Sequence, residues 1–179
     1  MQNTHSMSAP WIRAAREVAK RIGYSIGTLY NVFGSYDGLM LAINGRTLDL
    51  WRSVLEARLL QAEGDRLATA IGAHFDFAIA HRNAWTALYD FRLPDGTPTP
   101  PSYAAKVAAI TDLVAAEVAT ALPEGCRLRA DALARSLLAT VHGHCFFALN
   151  GTFALLGEHD PLGAPQTRVR EAIVAAGRR

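Results

Sequence analysis

The chain has 179 residues and a mass of 19.3 kDa, room for one medium domain or a small headpiece on a larger body. Half of it is apolar and only 19% is charged, with alanine abundant, which excludes a disordered or low-complexity chain and leans towards helix. A net charge of +2 is too mild to demand a polyanionic partner, although all of the 18 basic residues except Lys20 and Lys106 are Arg, the side chain suited to bidentate contacts.

In chain order, Trp11 to Ile22 reads as a short amphipathic helix, with Ala15, Val18, Ala19 and Ile22 on one face. Gly23 ends it, and Ser25 is a good N-cap for a second helix reaching Phe33. Asp37 to about Glu63 reads as one longer helix, with a kink or break open at Asn44-Gly45, because a mid-helix Gly costs roughly 1 kcal/mol. Asp65 to about Arg82 is the next helix, and Trp85 to Phe91 is a short helix or turn. Leu93 to Pro101, rich in proline, is the clearest loop. Ser102 to Leu122 is helical, Leu128 to Leu156 forms one long helix or two depending on Gly143 and Gly151, and Gln166 to Ala176 closes the chain. No strand pattern is visible, so the expected class is all-α.

Helix, glycine turn and short second helix form a helix-turn-helix, in which the second helix is offered to the DNA major groove. Its leading end should be small and polar so that backbone amides and hydroxyls approach phosphates, and Ser25, Gly27 and Thr28 have that character. Tyr30 lies one turn further in, while Leu29 and Phe33 share the opposite, inward face.

Val18-Ala19, Gly23, Ser25, Gly27-Thr28-Leu29-Tyr30, Phe33 and Leu39 together resemble the recognition region of TetR-family transcriptional regulators. The resemblance implies a dimeric, all-helical repressor: a helix-turn-helix headpiece over residues 1–36 on a ligand-binding and dimerisation bundle over 37–179. It implies duplex operator DNA and a small-molecule effector as partners, no cofactor and no enzymatic activity. Ser25, Gly27 and Thr28 would sit at the groove, Tyr30 on the backbone, and Asn31 at a base edge or phosphate. Tyr36 stands where the family usually has lysine, which replaces a charge-assisted phosphate contact by a neutral one. The family also packs a first helix ahead of this motif, and Met1 to Pro10 lacks the apolar spacing for it. Either the true start lies upstream, or the headpiece is truncated and the chain is a dimeric small-molecule-binding protein that no longer holds DNA.

Beyond Leu39 the resemblance thins to Val141-His142-Gly143, which is similar to a His-Gly signature of one C-terminal domain type in the family. The candidate ligand pocket is drawn from aromatic or polarisable residues in apolar helices: His74, Phe77, His81, Trp85, Tyr89, Tyr103, His142, Cys145 and Phe146. The spacing of His74 with His81, and of His142 with Cys145, permits metal ligation, but no third ligand is in view and no metal site is expected. No nucleophile elbow, phosphate loop or zinc-binding helix motif is present.

Ser136 to Gly157 carries no formal charge and is long enough for a bilayer. His142, His144, Asn150 and Thr152 would be costly there, so burial in a homodimer through the C-terminal helices is expected rather than insertion. Ala139, Gly143 and Ala148 permit close helix approach. Cys126 and Cys145 do not make a disulfide framework and no signal-peptide pattern opens the chain, so a reducing, cytoplasmic setting is expected.

Overall fold

The computed structural model describes the backbone of residues 10–178 and the side chains of residues 16–178. The expectations about the segment ahead of the first helix fall on residues 1–9, outside this range. Every regular element among the described residues is helical. Contacts within the chain divide it into two compact units, the first ending at Gly45 and the second starting at Arg46.

In the first unit, α1 (Pro10–Arg21) stops at Gly23, whose φ of 76° is a left-handed conformation that glycine adopts without strain. Tyr24 N–H donates to the Ala19 carbonyl at 2.9 Å and Gly23 N–H to Lys20 at 3.2 Å, the paired bonds of a Schellman cap. Ser25 then caps α2 (Ile26–Phe33), its hydroxyl accepting from Thr28 N–H at 3.2 Å. Ala19 and Leu29 are buried as α1 packs on α2. Ser35 Oγ accepts from Gly38 N–H at 3.0 Å and so starts α3 (Tyr36–Leu60). No break forms at Asn44-Gly45, where the sequence left one open. Both residues are buried, and packing outweighs the weak intrinsic preference of one glycine.

In the second unit, the remainder of α3 is followed by α4 (Arg66–Ala80), α5 (Arg82–Asp90), α6 (Pro101–Ala121), α7 (Ala130–Leu149), α8 (Thr152–Leu156) and α9 (Gly163–Gly177). A 3-10 turn at Glu124–Arg129 leads into α7. Gly143 stays helical, whereas Gly151, at φ 73°, separates α7 from α8, so the long apolar segment is two helices. Helix α7 packs against α4, α6 and α9 around Val118, Ala134 and Cys145, none of which has any exposed surface.

Three ion pairs stitch α3, α4 and α6 to one another. Lys106 Nζ of α6 reaches Asp49 of α3 at 2.5 and 2.7 Å, and Arg58 of α3 pairs with Asp76 of α4. Arg66, the first residue of α4, grips Glu117 of α6 with two bonds of 2.7 Å and donates a third, also 2.7 Å, to the Leu59 carbonyl in the last turn of α3. The first two pairs are well solvated and such pairs contribute little, but the Glu117 side chain is only 10% exposed. Glu117→Gln should therefore lower Tm by several degrees and Asp49→Asn by about 2 °C or less, read by thermal unfolding followed by circular dichroism.

Candidate functional site

Two regions carry chemistry, one in each unit. In the first, the leading end of α2 is open: Ser25, Gly27, Tyr30 and Asn31 are exposed, while Thr28 and Tyr36 are half-buried. Thr28 Oγ1 lies 3.1 Å from Ser25 Oγ, so the two hydroxyls form one polar edge beside the free N–H groups of the first turn. Leu29 faces inward, which fixes which side of α2 is outward. Tyr30 and Tyr36 share the wall of a shallow hollow with Leu29 and Leu39. Reading for the second helix alone missed Arg16 and Lys20, exposed cations on α1; Arg21, beside them, is engaged with Glu17 at 3.0 Å. It also missed Gly38, where an added Cβ would lie 2.0 Å from the Phe33 carbonyl oxygen. Only glycine lets α3 start that close to the end of α2.

In the second unit, four of the nine sequence-nominated pocket residues, His74, Trp85, Tyr89 and His142, form one connected group of rings, and Phe77 is tied to it through Trp51. His142 lies 3.8 Å from Tyr89, 4.7 Å from Trp85 and 6.3 Å from His74 between ring centroids. Trp51 of α3, which the sequence did not single out, joins the group 5.4 Å from His74 and 5.1 Å from Phe77. Cys145 is fully buried and Tyr103 half-buried. His81 and Phe146 are exposed and touch the group only at its margins, through Phe77 and His142.

Against this group lies a small apolar cavity of about 40 Å³. Of the nine nominated residues, only His74 lines it. The rest of the wall is Trp51 and aliphatic side chains from α3, α4, α6, α7 and α9, such as Leu55, Ile71, Val118 and Val141. These aliphatic residues carry no aromatic or polar signal in the sequence. A groove on the neighbouring face, bordered by Asp65 and Arg170, shares Leu67, Ile71 and Val169 with it.

Burial controls the titratable groups here. Desolvation, helped by nearby His142, pulls His74 down to about 4, and desolvation also lowers His142. Burial pushes the Cys145 thiol up to about 12, the reverse of what a reactive thiolate needs. Tyr89 is likewise raised to about 12 by burial of its phenol, with Cys145 and Tyr103 adding to the effect. His74 Nε2, Trp85 Nε1 and His142 Nδ1 are buried with no hydrogen-bond partner from the protein. Asp76, two residues from His74, is turned to Arg58. Among the described residues no three His, Cys, Asp or Glu side chains are grouped to hold a metal ion.

A helix-turn-helix unit and a separate helical unit enclosing an apolar cavity define a class of all-helical regulators. A tetracyclin repressor-like C-terminal domain is matched over residues 67–169, more than half of the chain, and the chain belongs to the TetR family of regulators. It is similar in fold to a solved structure of a protein with unknown function from Rhodococcus sp. RHA1. The identity is 20%, with 98% of each chain covered and a TM-score of 0.71. No functionally curated protein matches the chain.

The depressed His74 fixes a pH dependence. In the unfolded chain His74 takes up a proton near 6.5, but in the fold it stays neutral until about 4. The unfolded state therefore binds more protons between these values. The stability from keeping His74 neutral is complete above pH 7 and is lost progressively as pH falls from 6.5 to 4, by roughly 3 kcal/mol. Urea unfolding at stepped pH should show this decline, and His74→Phe should flatten it.

Proposed function

We propose that the chain is a ligand-responsive transcriptional repressor that binds operator DNA as a homodimer through its helix-turn-helix. The observation that carries this reading is the exposed leading end of α2, with Ser25, Gly27, Tyr30 and Asn31 outward and Leu29 inward. Tyr30 and Asn31 read or position the duplex, Thr28 and Tyr36 lie at its edge, and Arg16 and Lys20 add phosphate contacts. The effector occupies the cavity of the second unit, and the ring cluster of His74, Phe77, Trp85, Tyr89 and His142 backs that site. Trp51 and Leu55 of the cavity wall belong to the helix that begins at the Ser35 cap, which offers a route for coupling. The ligand acts by favouring one of two headpiece spacings over the other.

A second copy is supported by α7. Its Ser136, Ala139, Phe146 and Phe147 are exposed at helical spacing without a formal charge, and Leu155, Leu156 and Val174 are exposed on α8 and α9. The stretch 124–149 is long and apolar enough to cross a membrane by length and composition. A partner's α7 against this face, where Ala139 and Gly143 permit close approach, provides cover in a cytoplasmic protein. Phe147→Glu should convert a dimer to a monomer at micromolar concentration in light scattering, and an unchanged mass would remove the C-terminal interface.

The alternative reading, a dimeric small-molecule-binding protein with a DNA-incompetent headpiece, is favoured by one observation. Val18, Ile22 and Val32 are 42%, 53% and 68% exposed, an unusual amount of apolar surface on a small unit. Selection of bound duplexes from a random library, followed by anisotropy on the winner, separates the two. Under the repressor reading Asn31→Ala weakens the selected site by about 1–3 kcal/mol and relaxes one base position. Lys20→Ala weakens all duplexes alike and reduces the salt slope by about one. If no duplex is enriched at low salt, the repressor reading fails.

A further inference from the structure

Outside the cavity, α4, the end of α6 and α9 border a groove of about 180 Å³, which the regulator reading leaves unused. Space of this order is enough for one ring, since an apolar cavity of about 150 Å³ takes up benzene. Leu67 and Ile71 of α4 and Val169 and Ile173 of α9 form its apolar wall. Gln166, Val169, Arg170 and Ile173 recur at helical spacing, which lays one side of α9 along the groove. Asp65 borders it from the start of α4.

The two charges at this rim are unequally engaged. Asp65 caps α4, its Oδ1 accepting from Ala68 N–H at 2.9 Å, and the positive end of the helix dipole offsets its charge. Arg170 Nη2 comes only within 3.6 Å of Asp65 Oδ2, an ion pair too long for a hydrogen bond. Among the described residues Arg170 has no other partner, and its side chain is 62% exposed. A planar fork of donors therefore stands unspent at the mouth of an apolar groove. The cations beside it in sequence or space are committed elsewhere, Arg66 to Glu117 and Arg168 to Glu171. A carboxylate matches such a fork with two parallel bonds. An ammonium would meet a repelling guanidinium and a carboxylate already held by its helix.

We infer that the groove between α4 and α9 binds a small apolar carboxylate, its body against Leu67, Ile71, Val169 and Ile173 and its charge on the Arg170 guanidinium. The aliphatic wall supplies most of the affinity, and Arg170 selects the anion.

Three matched probes test this: 4-ethylbenzoate, 4-ethylbenzamide and 4-ethylbenzylammonium, each titrated calorimetrically into the full chain at pH 7.5 and low salt. The benzoate is expected to bind saturably and about five-fold tighter than the amide, with the ammonium weakest. Arg170→Gln should bring benzoate and amide level while leaving the amide's affinity in place. Asp65→Asn keeps a capping side chain but removes the charge that competes for Arg170, so it should tighten the benzoate about three-fold. Ala68→Trp, checked by its melting curve, fills the groove and should abolish binding of benzoate and amide alike. The inference is overturned by an amide or ammonium that matches the benzoate, by a benzoate preference that survives Arg170→Gln, or by an Asp65→Asn variant that binds benzoate more weakly. Binding that persists in folded Ala68→Trp, or no saturable binding to the unaltered chain, overturns it too. A dimer that Ala68→Trp splits in light scattering assigns the groove to a second copy and likewise overturns it. Arg170→Gln and Asp65→Asn alter exposed side chains, so they decide the matter even where Ala68→Trp does not fold.

Discussion

The bifurcated grip of Arg66 on Glu117 and the Leu59 carbonyl is the contact on which the cavity depends. It closes the corner where the end of α3, the start of α4 and the body of α6 meet. Those helices contribute Trp51 and Leu55, Ile71 and His74, and Val114 and Val118 to the wall. Apolar packing alone is non-directional and would let such helices slide until the space between them closed. A planar guanidinium with three partners of fixed geometry prevents the slide. The clamp fixes how these three helices meet.

That arrangement also determines the electrostatics inside. Asp49, Arg58, Arg66, Asp76, Lys106 and Glu117 are committed to one another across α3, α4 and α6, and no charged side chain lines the cavity. Histidine is tolerated there because it can shed its proton; His74 and His142 both do so more readily than in water, and the more deeply buried His74 by more. The same desolvation moves Cys145 and Tyr89 the other way, raising both. The two histidines of the ring cluster are therefore uncharged at neutral pH.

The sequence disclosed the headpiece more fully than the cavity, and the reason is range. Gly23 and Ser25 act on residues within a few positions of themselves, through a Schellman cap and a hydroxyl cap, so the local pattern was sufficient. Gly38 was invisible because its constraint is a close approach to a carbonyl that no pattern rule encodes. Glycines further on were ambiguous: Gly143 and Gly151 look alike in sequence, yet only Gly151 takes a left-handed φ and breaks the helix. At Asn44-Gly45 the tertiary burial of both residues overrode a local breaker.

The ring cluster was legible because aromatic and histidine residues are rare enough to stand out within apolar helices. The cavity was not, because most of its wall consists of side chains indistinguishable from ordinary core, drawn from five helices far apart in the chain. A void is a property of how helices are held at a distance, and no residue encodes it singly. What sequence does encode is the choice of a buried polar group, and at His74, packed against Trp51, Trp85 and His142, that choice is unusual. A leucine there would bury more apolar area at less cost. Retaining an imidazole whose Nε2 finds nothing in the protein to bond sacrifices stability.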